Sequence, residues 1–234
     1  MAEKTVMIDG RFHGPPNSGN GGYVCGLVGN FMADDAEVIL RQPPPLVKSL
    51  TILYEGEIVR LLDGETLVAE GYPRQWQLDV PAPPTLAEAE TAAAHYFTPE
   101  QHLFPTCFVC GPARNEGDGL RIFASPVNGR DLVAAPWQPD ASLAGANRLV
   151  KPEFLWAALD CPGGLAVVKH IGFRPIVLGK LAAHLERSVL VGERYVVMGW
   201  MVKADGRKFE AGTAVFTASG DLCALGKATW IALR

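Results

Sequence analysis

The sequence predicts an α+β fold in which one buried helix is wrapped by a curved antiparallel sheet, and it predicts that unit twice. Three observations carry this. Apolar helices are expected near the start of the chain and again past its middle. Runs of strand candidates joined by Asp-Gly, Asn-Gly or Ser-Gly turns accompany each helix. A proline-punctuated break separates the two layouts. The 234 residues are 48% hydrophobic and 20% charged, the range of an ordinary globular chain with a sizeable core.

The first unit, residues 1–80, opens with a short strand (Thr5–Ile8). A glycine-rich turn follows, Gly14-Pro-Pro-Asn-Ser-Gly-Asn-Gly-Gly-Tyr23. Successive glycines let backbone approach a ligand closely, and a helix beginning there points unpaired N–H groups at it. In the helix, Tyr23, Leu27 and Phe31 recur at fourfold spacing, as do Val24 and Val28. Gly22, Gly26 and Gly29 line another face, where glycine costs helix propensity; close packing against a sheet is the expected reason. Strands are predicted over 37–41, 50–57, 58–62 and 66–72, the last two joined by Asp63-Gly64.

The break spans 81–106. Pro81, Pro83 and Pro84 stop the preceding strand. Thr85 and Glu88 form a capping box ahead of an Ala- and Glu-rich helix, 86–96. Pro99 and Pro105 then mark a loop.

The second unit, 107–234, begins with strands over 120–124 and 131–135 around Asn128-Gly129. A helix follows from Pro152 to Asp160, with proline in its first turn. Pro162-Gly163-Gly164 is expected to end or kink it. Strands over 179–187, 195–203, 208–217 and 222–233 complete the unit, with Asp205-Gly206 and Ser219-Gly220 between them.

A net charge of −4 carries no nucleic-acid footprint. The first residues lack the apolar core of a signal peptide, and no run approaches the ~20 apolar residues a spanning helix needs. A cytoplasmic protein without membrane or nucleic-acid partners is the expectation. The five cysteines are an odd number, and disulfides are not expected in that compartment.

Several short motifs resemble one family. Cys107-Phe-Val-Cys-Gly111 followed by Gly119-Leu-Arg-Ile-Phe123 resembles the opening of hotdog-fold acyl-CoA thioesterases of the phenylacetyl-CoA thioesterase-like group. Asn17-x-Gly19-Asn20-Gly21-Gly22 resembles their helix entry, and Glu153-Phe-Leu-Trp-Ala-Ala-Leu-Asp160 their central helix with its acidic residue. The resemblance implies two tandem hotdog folds in one chain. It also implies an acyl thioester substrate, coenzyme A entering only as part of that substrate, and no metal or redox cofactor. Pseudo-dimeric chains of this kind can assemble further into homo-oligomers. The family's His-Gly-Gly is Asn20-Gly21-Gly22 here, so a role for that histidine does not carry over. Asn30 stands where the first helix would carry an acid, with Asp34 and Asp35 near its end.

Set on these residues, one composite site is expected between the units. Gly21 and Gly22 would offer N–H groups to a thioester carbonyl, a kind of contact worth ~3 kcal/mol of barrier. Asp160 would serve as general base or nucleophile, and burial on an apolar helix should raise its pKa. An acid at a helix C-terminus opposes the dipole, so its presence needs a reason. Asn20 completes the catalytic candidates, and Asn17, Tyr23, Trp156 and Glu153 are the candidate substrate contacts. Asn17 or Asn20 is also a natural helix cap.

Cys107 and Cys110 have metal-ligand spacing, but Cys25, Cys161 and Cys223 are singly placed, so a tight turn into a strand is expected there rather than zinc. His13, His170 and His184 are isolated. Lys151, Lys169, Arg174 and Lys180 surround the second helix and read first as solvated surface charge. Two rival functions remain: a non-catalytic acyl-ligand binding protein with a degenerate site, and a hotdog hydratase or dehydratase, for which an Asp/His pair would be needed.

Overall fold

The computed structural model describes residues 3–32 and 35–233. They form eleven strands and four α-helices: β1 (Glu3–Met7), α1 (Gly21–Gly29), β2 (Ala36–Leu40), β3 (Ser49–Glu55), β4 (Ile58–Asp63), β5 (Thr66–Pro73), α2 (Leu86–Ala93), β6 (Ser125–Pro126), β7 (Val133–Trp137), α3 (Pro152–Ala158), α4 (Cys161–Ile171), β8 (Ile176–Leu185), β9 (Tyr195–Asp205), β10 (Lys208–Thr217) and β11 (Leu222–Ala232). None of these helices is long and apolar enough to cross a membrane.

All strands join one antiparallel sheet in the order β1-β3-β4-β5-β2-β8-β11-β10-β9-β7-β6. β2 and β8 form the central seam, pairing Ala36 with Ala183 and Val38 with Leu181. Lys180 on β8 reaches Glu37 on β2 at 2.7 Å across it. The hairpins turn at Gly64, Gly129, Gly206 and Gly220, each at positive φ, as the dipeptide signals predict.

Two central helices lie on this sheet. α1 packs on β2, β5 and β8, and α4 on β9, β10 and β7. At Gly199 on β9 the fit leaves no room for a side chain: a Cβ there would sit 2.2 Å from the Pro162 carbonyl oxygen. The core is continuous across both, running from Ile8, Val24 and Ile52 to Leu159, Val197 and Val215.

Three expectations change. Pro162-Gly163-Gly164 does not end the second helix. α3 stops at Leu159, the backbone turns at Asp160 (φ −83°, ψ −85°), and α4 starts at Cys161 with proline in its first turn. Proline has no N–H to lose there, so a motif that reads as a breaker is a helix start. Residues 120–124 are not a sheet strand. Arg121 has φ +53°, and the segment bonds the cysteine turn instead, Leu120 N–H to the Phe108 carbonyl and Ile122 N–H to that of Val109. The helix expected over 86–96 ends at Ala93; its capping box forms, with Glu88 N–H 3.2 Å from Thr85 Oγ1 and Thr85 N–H 2.7 Å from Glu88 Oε2.

The end of α3 depends on one buried hydroxyl. Thr213 on β10 donates to the Leu159 carbonyl at 2.8 Å. Thr213→Val keeps the shape and orphans that carbonyl, so a loss of about 1–3 kcal/mol is expected in chemical denaturation. An unchanged midpoint would show that water satisfies the carbonyl.

Candidate active site

The glycine turn and the α3–α4 break meet at one point. On α1, the glycine face predicted to pack on a sheet packs instead on α3. A Cβ at Gly22 would lie 2.4 Å from Asp160 Cβ, and one at Gly26 would lie 2.6 Å from Glu153 Cα. This close crossing places Asp160 against the start of α1. Its Oδ2 accepts from the Gly22 N–H at 2.9 Å and from Asn20 Nδ2 at 2.8 Å. Asn20 is also the α1 N-cap, its Oδ1 accepting from the Tyr23 N–H at 2.9 Å. Both ends of its amide are therefore committed, and an acid in its place would repel Asp160.

Asp160 directly follows the C-terminus of α3 and stands at the N-cap position of α4 without capping it. Its carboxylate serves the N-terminus of α1 instead, and that positive helix end is the reason an acid is tolerated there. It is only 2% exposed, and its Oδ1 has no partner among the described residues. Burial dominates its ionisation and lifts its pKa to about 7; the Gly22 N–H and Asn20 amide oppose the shift, and Cys107 adds to it.

The two glycine amides are not equivalent. The Gly22 N–H is taken by the carboxylate. The Gly21 N–H, at the first position of α1, meets no acceptor among the described residues and lies in the cavity wall. One amide, not two, is free to meet a carbonyl.

The cavity has a volume of about 550 Å³. Its lining includes Asn20, Gly21, Asp160, Cys107, Cys110 and Cys161. Its walls are apolar, with Leu40, Phe97, Val168, Leu178, Trp230 and Ile231. Arg41 and Arg174 also line it; Arg41 is tied to Glu70 at 2.6 Å. The sulfurs of Cys107 and Cys161 are 3.7 Å apart, and Asn20 Nδ2 lies 3.9 Å from the former. Hydrogen bonds from its two neighbouring thiols, and the Cys110 and Val109 amides, draw the Cys107 pKa down, while the same bonds hold Cys110 and Cys161 as thiols.

His102 lines the same cavity, yet both its nitrogens are engaged. Phe104 N–H donates to Nδ1 at 3.0 Å, and Nε2 lies 2.9 Å from the Tyr96 hydroxyl, which donates to the Cys110 carbonyl at 2.9 Å. Burial lowers its pKa. It bonds to Tyr96 and the backbone, so it is not the hydrogen-bonded partner of an Asp/His pair.

The structure thus brings together Asn20, Gly21, Gly22 and Asp160, residues 140 positions apart at the extreme. It does not bring the other four candidates to the cavity. Asn17 is exposed at φ +61° and shapes the turn. Tyr23 is stacked on Phe12 at 4.3 Å, within an aromatic cluster that includes Phe108 and Phe154. Trp156 is buried against Gly26 and Gly29, and Glu153 accepts from Asn30 at 2.8 Å on the outer side of the α1–α3 crossing. Asp35 pairs with His184 at 2.7 Å, and Asp34 lies outside the described residues. Lys169 pairs with Asp131 and Lys180 with Glu37, so of the basic residues near the second helix only Arg174 reaches the cavity. Cys161, Leu40–Pro44, Phe97 and His102–Phe104 line the cavity and are not among the site residues expected from the sequence. The signal for Cys161 was the Pro-Gly-Gly helix start that follows it.

No protein-family model matches the sequence, and no curated protein matches it. Solved structures match its fold over nearly the whole chain. The tesB protein of Mycobacterium avium subsp. paratuberculosis aligns with TM-score 0.62 at 11% identity, covering 99% of this chain and 93% of its own. An acyl-CoA thioesterase II from Mycobacterium marinum aligns with TM-score 0.57 at 11% identity, covering 93% and 90%. A protein from Alicyclobacillus acidocaldarius described as having the hotdog fold aligns with TM-score 0.63 at 9% identity, covering 99% and 93%. The chain has the hotdog fold.

Proposed function

We propose that this chain hydrolyses acyl thioesters of coenzyme A type, with an apolar acyl group in the cavity and Asp160 as general base. The observation that carries this is the buried, unpartnered Oδ1 of Asp160, a residue that lines an apolar cavity together with Gly21, whose N–H meets no acceptor among the described residues. A buried carboxylate oxygen without a donor is costly unless something binds to it. A water between Oδ1 and the thioester carbonyl would satisfy it. The Gly21 N–H would polarise the carbonyl oxygen. The water would give its proton to Oδ1 as its oxygen attacks carbon. The C–S bond would then break, and the proton would pass to the departing sulfur. Two of the structural neighbours are acyl-CoA thioesterase or tesB proteins, which agrees with this reading.

The assay is thiol release from a panel of acyl-CoAs graded from acetyl to apolar medium-chain and arylacetyl groups. Release is expected with the apolar members and to be weakest with acetyl. The occupied Gly22 N–H favours a second reading, a binding protein that holds acyl thioesters without cleaving them. Ligand-induced thermal stabilisation without thiol release from any member would establish that reading and remove hydrolysis.

A further inference from the structure

We infer that Cys107, Cys110 and Cys161 form a three-thiolate metal site for a soft cation, Zn²⁺ in the first instance, with its fourth position facing the cavity that all three line. The three sulfurs lie within 4.8 Å of one another, and Cys107 and Cys161 are 3.7 Å apart. A Zn–S bond of about 2.3 Å in a tetrahedral site separates sulfurs by about 3.8 Å. The set therefore needs only a slight contraction around Cys110.

The scaffold fits the chemistry. Cys107-x-x-Cys110 is a closed turn: Gly111 N–H donates to the Cys107 carbonyl at 2.9 Å. A Cβ at Gly111 would lie 2.5 Å from that oxygen, so the turn cannot relax around a larger residue. Cys161 is the first residue of the 11-residue α4, which fixes its side chain beside the Cys107–Cys110 turn. All three cysteines are free and buried. Buried cysteines also serve as small apolar residues, but these three line one cavity together with Asp160, whose Oδ1 has no partner among the described residues. Thiolates select soft cations, and three protein ligands with an open position is the pattern of a metal that keeps a place for water or another oxygen ligand. Zinc is not expected from the sequence because Cys25, Cys161 and Cys223 are singly placed there. Cys161 is 54 residues from Cys107 in the chain and in contact with it in space.

The test uses the full chain, reduced and stripped with chelator, titrated with Zn²⁺ against a chromophoric chelator and separately with Co²⁺. One Zn²⁺ per chain and a thiolate-to-Co²⁺ charge-transfer band are expected. Cys161→Ser should weaken Zn²⁺ binding by at least about 100-fold, because one of three ligands is lost. Cys223→Ser, buried outside the cluster, should leave it unchanged. Folded, reduced wild type that takes up no Zn²⁺, or Cys161→Ser with wild-type affinity, would overturn the site. Should Cys161→Ser not fold, the Co²⁺ spectrum of the wild type decides, and absence of the band overturns the proposal. These readouts involve no acyl thioester, so the metal site and the hydrolase reading can fail separately.

Discussion

Asp160→Asn is expected to lower thioester turnover by about 10³-fold, the middle of the range for removing a positioned base. The same substitution is expected to stabilise the fold. Asparagine can keep its oxygen on the Gly22 N–H and Asn20 amide and place its own NH₂ where Oδ1 now stands unpartnered. The sign follows from the raised pKa, about 7 against an ordinary 3.8. Between those values the unfolded chain has lost the proton that the folded chain retains, so wild-type stability falls as pH rises from about 4 to about 7, and the penalty is complete above that. That difference corresponds to about 4 kcal/mol, an upper bound on the advantage of Asp160→Asn at pH 8–9, vanishing near pH 4. Turnover, which needs the carboxylate, should rise through about pH 7 in the window where stability declines. Measured on metal-stripped protein by urea denaturation, an advantage independent of pH would mean that Asp160 is a solvated structural cap rather than a buried base.

The second large effect concerns the crossing that creates the site. Gly26→Ala is expected to destabilise the chain by about 3 kcal/mol, at the upper end of overpacking costs. Helix propensity alone predicts the opposite, a gain of about 1 kcal/mol for replacing glycine in mid-helix. The difference lies in what the new methyl meets: Glu153 Cα at 2.6 Å and its carbonyl oxygen at 3.0 Å, both backbone atoms that cannot swing aside. At Gly29 the nearest atoms belong to the Trp156 ring, which can tilt, so Gly29→Ala should cost less. A drop in melting temperature of roughly 10 °C is expected for Gly26→Ala, at a few degrees per kcal/mol in a chain of this size. A stabilised Gly26→Ala would show that α1 and α3 do not approach as closely as described.

The parts of this architecture that announce themselves in sequence are local. The hairpins are legible from Asp63-Gly64, Asn128-Gly129, Asp205-Gly206 and Ser219-Gly220, because a two-residue turn states its backbone geometry in its residues. The meeting of Asn20-Gly21-Gly22 with Asp160 was legible only through the resemblance of both stretches to the helix entry and central helix of hotdog thioesterases; neither stretch alone points to the other. What was not legible depends on context. Pro162-Gly163-Gly164 has the same composition whether it ends a helix or begins one, and only the turn at Asp160 decides. Cys161 looks solitary in the chain and becomes the third member of a cluster once α4 starts beside the Cys107–Cys110 turn. Tyr23 and Trp156 carry the size and character of substrate contacts, but the same properties suit a packed core, and the α1–α3 crossing turns them into it. The loop residues Phe97, His102, Leu103 and Phe104, which line the cavity, have no periodicity to reveal them.

In the proposed mechanism Gly21 and Asp160 face the reacting carbonyl in the cavity. This placement is tested most directly by a crystal structure with a non-hydrolysable acyl-CoA analogue in which a methylene separates carbonyl from sulfur. The carbonyl oxygen is expected at about 3 Å from Gly21 N. The acyl group is expected between Leu178 and Trp230, with one water between Asp160 Oδ1 and the carbonyl carbon. An analogue seated outside this cavity, or one whose carbonyl points away from Gly21 with Asp160 Oδ1 still unpartnered, would contradict it.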